Sequence, residues 1–248
     1  MSNKKLIAHG DSVDVYRDGD YVIKVFNEDQ PKTAALYEAL THSRVETTGL
    51  PIPVIHEVSK IDGKWAITMD HIEGNTLHDL MVENPYKMDE YINLMVDIQL
   101  RIHSMHMPLL SKLKDKMARM IKSLDSIDEV EKYDLLTRLE SMPKHIKLCH
   151  SNFTPKNIII NDKGYYIVDW VAARQGNASA DVGKTYLMLC LDFPEASEKY
   201  LDVFCQKSGT KKKYVQEWLP IVAAAQLTLN NPAEKDLLMK WIDVVDYE

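Results

Sequence analysis

One loop and the hairpin behind it dominate the sequence. His150-Ser151-Asn152-Phe153-Thr154-Pro155-Lys156-Asn157 runs directly into Ile158-Ile159-Ile160, and Ile167-Val168-Asp169-Trp170 follows. The β-branched triplet and residues 165–168 flank an Asp162-Lys163-Gly164 turn, which reads as a short hairpin. The loop sets Asn157 near the start of the first strand, and the return strand delivers Asp169 at its far end. An amide oxygen and a carboxylate therefore converge from adjacent strands. That pair suits Mg²⁺, a hard ion that takes oxygen ligands and is commonly held with substrate phosphates.

The first 70 residues read as β-rich. Val13, Val15 and Tyr16 precede an Asp18-Gly19-Asp20 turn, and Tyr21–Phe26 is a β-branched and aromatic run, so the two form a hairpin. Pro31 opens a helix over Lys32–Glu46, whose apolar face is expected at Ala34, Ala35, Leu36, Ala39 and Leu40. Gly49-Leu50-Pro51-Ile52-Pro53 ends it, because two prolines and a glycine cannot continue a helix. Residues 54–58 and 65–69 then pair about Asp62-Gly63. After Glu73-Gly74, helical spacing takes over at 77–81, 88–106, 110–124 and 135–142, and again from Ala180 onward. The expected fold class is α+β, with a lobe at 1–73 and a helical lobe at 74–248.

Composition narrows the function. The 248 residues are 45% apolar and 27% charged, which supports a sizeable core. A net charge of −7 disfavours general affinity for nucleic acid, whose phosphates demand a basic surface. The triplet Lys211, Lys212 and Lys213 is too short to change that and reads as a solvated turn. Three widely spaced cysteines without a Cys-x-x-Cys pair argue against a disulfide framework or zinc ribbon. No stretch approaches the ~20 apolar residues of a membrane span, and the polar start is followed by no apolar leader segment. The expectation is a cytoplasmic protein that binds neither membrane nor nucleic acid. His103 and His106, three apart on a helix, lack further ligands nearby and read as a chance pair rather than a metal site.

The loop and hairpin resemble the aminoglycoside-phosphotransferase and choline-kinase-like family, whose loop usually reads His-Gly-Asp-x-x-x-x-Asn, followed by Ile-Asp. His150, Asn157 and Asp169 match. The resemblance extends in order over roughly residues 10 to 190, through Lys24, the 49–53 turn, Met69-Asp70-His71-Ile72-Glu73-Gly74, and Gly176 to Asp181. It implies a bilobal protein-kinase-like fold, a β-rich nucleotide lobe and a larger helical lobe holding the acceptor. It implies ATP, with GTP as the alternative, and Mg²⁺ held by Asn157 and Asp169. Lys24 would contact the nucleotide phosphates with Glu38 as its ion-pair partner, Glu46 being a less well placed competitor. Met69, Asp70 and Ile72 would form the hinge at the adenine. The turn Gly10 to Tyr16 stands where the family has its phosphate loop, with Ser12 at the nucleotide, although it carries one glycine. His150 would organise the catalytic loop and Asp181 would brace it.

Position 152 departs from the family, which has a proton-accepting Asp there. Asn152 is nearly isosteric but takes no proton at neutral pH. General-base assistance is worth about 10²–10⁴-fold, whereas phosphoryl transfer rests largely on positioning and electrostatics. A slow small-molecule kinase is expected, with an inactive nucleotide-binding regulator as the alternative. Asp192, Glu195, Glu198 and Asp202 offer a place for a cationic acceptor, and solvated helix faces explain them equally well.

Overall fold

The computed structural model describes residues 4–242. In chain order the elements begin with β1 (Lys5–His9), β2 (Val13–Asp18), β3 (Tyr21–Phe26), α1 (Lys32–Glu46), β4 (Ile55–Ile61), β5 (Lys64–Asp70) and β6 (Asn75–Thr76). Then come α2 (Leu77–Glu83), α3 (Met88–His103), α4 (Leu113–Lys122), α5 (Glu129–Ser141) and β7 (Lys147–Cys149). The hairpin of β8 (Ile158–Asn161) and β9 (Gly164–Ile167) leads to β10 (Arg174–Gly176). Helices α6 (Ala178–Asp192), α7 (Pro194–Ser208), α8 (Lys212–Gln216), α9 (Leu219–Leu227) and α10 (Pro232–Ile242) follow. None of these helices is long and apolar enough to cross a membrane.

The chain forms two compact units. The first joins residues up to 80 with 156–172, and the second joins 81–155 with the residues from 173 on. This differs from a single cut after residue 73. The β8–β9 hairpin belongs with the first unit because β8 pairs with β6 and the turn Trp170–Ala172 packs on α1. The amide of Ile167 also donates to the Pro51 carbonyl at 2.8 Å. Gly74 permits the β6–β8 approach: its φ is +151°, and a Cβ there would lie 2.4 Å from the Ile160 carbonyl oxygen.

The first unit is built on a five-stranded antiparallel sheet in the order β1-β2-β3-β5-β4. The β2–β3 and β4–β5 hairpins follow the predicted turns, where Gly19 and the Asp62-Gly63 pair take positive φ. Strand β1 is an addition to the sequence expectation. It is exposed along its length on the sheet edge and so carries no burial pattern to betray it. Helix α1 covers the sheet over Phe26, Ile67 and Met69. Its buried face is Ala35, Glu38, Ala39, His42 and Val45, the i, i+3/i+4 row. Leu36 and Leu40, expected in that face, are 43% and 51% exposed. Small alanines against the sheet let the helix approach closely, and the leucines, 100° further round, face out.

The second unit is helical. Helix α9 is buried at every position and packs against α4, α5, α6, α8 and α10. Burying each Leu, Ile or Val side chain there contributes about 1.5–3 kcal/mol. Helix α3 stops at His103, short of the expected 106, because Met105 turns its carbonyl to the Leu148 amide at 2.8 Å and His106 pairs with Lys147 beside β7. Helix α4 is likewise shorter than the periodic run over 110–124. Strands β7 and β10 pair antiparallel, with Cys149 opposite Arg174. Asp128 and Glu131 form a capping box on α5, and Asn177 caps α6 by accepting from the Ser179 amide at 2.9 Å.

Candidate active site

Lys24 lies in the middle of β3, opposite Val15 on one side and Ile67 on the other. Its ammonium donates to the Glu38 carboxylate, which α1 delivers from its buried face. It also lies 3.7 Å from Oδ1 of Asp169. Burial alone would lower the lysine's pKa, but the two carboxylates outweigh burial and raise it. Glu46 is occupied elsewhere, accepting from the Ile55 amide at 2.9 Å. The choice of Glu38 follows from position, since it sits one turn after Ala35 on the row that faces the sheet.

Asn157 and Asp169 flank the ends of the β8–β9 ladder. Ile158 pairs with Ile167, and just beyond it the Val168 amide donates to the Asn157 carbonyl at 3.0 Å. Asp169 has φ +64°, a left-handed conformation that Asp tolerates better than most residues. Both residues line a cavity of about 440 Å³ within the first unit, together with Lys24 and Glu38. The remaining lining is largely apolar and includes Val15, Val22, Met69, Ile72 and Ile159. The cavity thus combines apolar side chains with a cation and oxygen donors. The Asn157 amide and the Asp169 carboxylate offer oxygen donors of the kind that suit a hard cation such as Mg²⁺.

Two expected nucleotide contacts stand differently. Ser12 lies in the exposed turn between β1 and β2, outside this lining, where its carbonyl accepts from the Asn27 amide at 2.9 Å. Asp70 does line the cavity, but its carboxylate is committed to the Val54 amide at 2.9 Å and to His56 at 2.7 Å. Burial raises its pKa, and these bonds hold it below the usual value.

His150 and Asn152 belong to the second unit. Their loop is fastened by Asp181 from the first turn of α6. One carboxylate oxygen accepts from the Ser151 amide at 2.6 Å, and the other accepts from the His150 amide at 3.2 Å. His103 reaches that second oxygen at 2.9 Å, and the Thr185 hydroxyl donates to the Phe153 carbonyl at 2.8 Å. Burial pushes the Asp181 carboxyl up, yet His103, His150 and the amide bonds hold it below its ordinary value. The His150 ring is fully buried against Phe153 at 6.0 Å, as suits a loop organiser. Asn152 is half-buried in the bend after Ser151, whose φ is +62°.

Sequence reasoning left His103 without a role. It lies one turn after Gln99 on α3, and both are buried polar residues aimed at Asp181. The signal was a polar pair at i, i+4 within an apolar row. His103, Cys149 and Asp181 offer ligand atoms within 4.8 Å of one another. His103 is hydrogen-bonded to Asp181, and burial raises the Cys149 thiol pKa well above its ordinary value, so the trio reads as a brace. The late acidic residues are also partly taken: Lys212 pairs with Glu198 at 2.8 Å and Asp202 at 2.7 Å.

Solved structures share this fold. Aminoglycoside phosphotransferase APH(4)-Ia, a thermostable mutant in ternary complex with ADP and hygromycin B, matches with TM-score 0.73 and 13% identity, over 98% of this chain and 92% of that one. A choline/ethanolamine kinase family protein from Mesorhizobium loti matches with TM-score 0.68 and 14% identity, over 99% and 90%. Amicoumacin kinase hAmiN, in complex with AMP-PNP, Ca²⁺ and Ami, matches with TM-score 0.67 and 11% identity, over 96% and 86%. At such identities the likeness establishes the kinase-like α+β fold. No curated protein sequence matches the chain. The model of the phosphotransferase enzyme family, APH, matches residues 5–219, and the chain belongs to that family.

Proposed function

We propose that the protein is an ATP- and Mg²⁺-dependent phosphotransferase that acts slowly on a hydroxyl of a small molecule. The observation that carries this reading is the Lys24 ammonium set between Glu38 and Asp169 in a cavity that Asn157 also lines. Lys24, oriented by Glu38, binds nucleotide phosphate oxygens. Asn157 and Asp169 would hold Mg²⁺, whose charge offsets that of the phosphates when bound. The apolar lining at Val15, Val22, Met69 and Ile72 takes the base. Asn152 orients the acceptor hydroxyl through its amide oxygen. The hydroxyl oxygen forms a bond to the γ-phosphorus, the bond from that phosphorus to the ADP oxygen breaks, and the hydroxyl proton passes to solvent because Asn152 cannot take it.

The test is incubation with ATP–Mg²⁺ and a panel of amino sugars, choline-like amines, sugars and their acidic derivatives. Phosphorylated product is expected. No product above the ATPase background, together with no nucleotide binding, ends the reading. Asn152 favours a second reading, a regulator that binds nucleotide without turnover. Nucleotide binding by thermal shift with no transfer to any acceptor supports it, and ordinary turnover by the wild-type chain removes it.

A further inference from the structure

The second unit carries a cavity of its own, of about 60 Å³, bounded by α4, α6, α9 and the loop at Ser151. Leu113, Met117 and Val222 make part of the lining apolar, while Lys116, Lys184, Ser151 and Gln226 make part of it polar. Among the described residues, the charged groups acting on Lys116 are Arg174, Lys184 and Arg119, every one a cation. Burial first, then these neighbours, lower the Lys116 pKa to about 8. Arg174 is itself buried and donates from Nη1 to the Ala173 carbonyl at 2.6 Å. Ser151 is buried as well, and its Oγ has no hydrogen-bond partner among the described residues.

Among the described residues, Asp181 in the lining and Glu234 beside Gln226 are both engaged. Asp181, in the lining, accepts from the Ser151 and His150 amides and from His103. Glu234 is held by Gln226 and Asn231, each at 2.7 Å. A half-buried lysine crowded by cations is electrostatically incomplete, and a buried hydroxyl without a partner adds a second unmet demand. A small anion answers both, by accepting from the ammonium and from the hydroxyl. The space of about 60 Å³ is several times the roughly 10–15 Å³ that one water needs, which admits a carboxylate or phosphate head.

We propose that this cavity binds the anionic group, a carboxylate or a phosphate ester, of the hydroxyl-bearing acceptor. The acceptor part of the assignment rests on the phosphotransfer reading above. The specificity of this chain would then differ from one built on acidic residues: a cationic group on the acceptor is not required, and an anionic one is.

The test is calorimetric titration of the full chain with inorganic phosphate and with acetate, at pH 7 and fixed ionic strength. Saturable binding is expected, weakened about tenfold or more in Lys116→Met, which loses a charge-assisted bond, and restored in Lys116→Arg. Lys24→Met should leave it unchanged, which separates this cavity from the nucleotide cavity. Tighter phosphate than acetate binding identifies a phosphate ester, and the reverse identifies a carboxylate. Absence of saturation, wild-type affinity in Lys116→Met, or loss in Lys24→Met instead overturns the proposal. ATP–Mg²⁺ binding is measured on the same samples. If it persists while neither anion binds, this proposal falls and the phosphotransfer reading stands. If anions bind but nucleotide does not, the acceptor assignment falls with that reading.

Discussion

Two lysines, Lys24 and Lys116, stand in cavities of different units and show opposite behaviour. Lys24 is surrounded by carboxylates, and its pKa rises despite burial. Lys116 is surrounded by cations, and its pKa falls to about 8. Burial lowers both values; the carboxylates reverse it at Lys24, whereas the cations add to it at Lys116. The first lysine is a cation held in place by the carboxylates of Glu38 and Asp169. The second is a cation for which the described residues supply no carboxylate counter-ion. The two cavities differ in that one lysine has carboxylate partners and the other has cationic neighbours among the described residues.

The largest expected effect comes from restoring a carboxylate to the loop of the second unit. Asn152→Asp should raise transfer by about 10²–10⁴-fold, the usual worth of general-base assistance, measured as product formation with saturating ATP–Mg²⁺. An unchanged rate would show that proton acceptance is not what limits the reaction. Next, Lys24→Met breaks the completed pair. We expect transfer to fall by about 10²–10³-fold, as when a positioned electrostatic contact to the reacting group is removed, with weaker nucleotide binding in a direct titration. Glu38→Gln should show a smaller loss in the same direction, since the ammonium keeps Asp169.

Asp181→Asn then tests the brace. An amide offers one acceptor oxygen where the carboxylate offers two, so a buried backbone donor loses its partner. Stability should fall by about 2–4 kcal/mol, read from urea unfolding. The folded pKa of Asp181 lies below the ordinary 3.8, so its contribution is present above that value and lost as pH falls through the folded value. The gap between wild type and variant should therefore narrow in acid.

The smallest effect separates the two lysines directly. The Lys116 pKa lies below 10.5, so between about 8 and 10.5 the unfolded chain holds a proton that the folded chain has released. Stability should rise with pH across that window. Lys116→Met should flatten the rise by about 1–2 kcal/mol after allowance for solvent screening. The Lys24 contribution has the opposite sign: it is present below 10.5 and is lost as pH climbs through the raised folded value. Urea melts of wild type and both single variants at pH 7, 8, 9, 10 and 11 measure the contrast.

Much of the first unit was legible because its signals are short-range. The Asp62-Gly63 turn, the Val-Ile-Lys-Val run and the hairpin after Asn157 are each specified by neighbours within a few residues. Strand β1 was not, since an exposed edge strand needs no alternation, and the outward turn of Leu36 and Leu40 was hidden because α1 buries alanines instead. Of the candidate site residues, Asn157 and Asp169 were read from one hairpin, and both line the first unit's cavity. Ser12 did not reach the cavity, because the turn that carries it is exposed.

Local pattern alone marked the β2–β3, β4–β5 and β8–β9 hairpins and the α1 helix, and which oxygen-bearing side chains end the 158–167 hairpin. Backbone hydrogen bonding and side-chain periodicity act over one or two turns, so they are written in adjacent residues. Folding in three dimensions made the other choices. It paired Lys24 with Glu38 rather than Glu46, put His103 on Asp181 across 78 positions of chain, and gathered cations around Lys116. Those outcomes depend on which faces meet, and Coulomb and hydrogen-bond energies count distance in space, not separation along the chain.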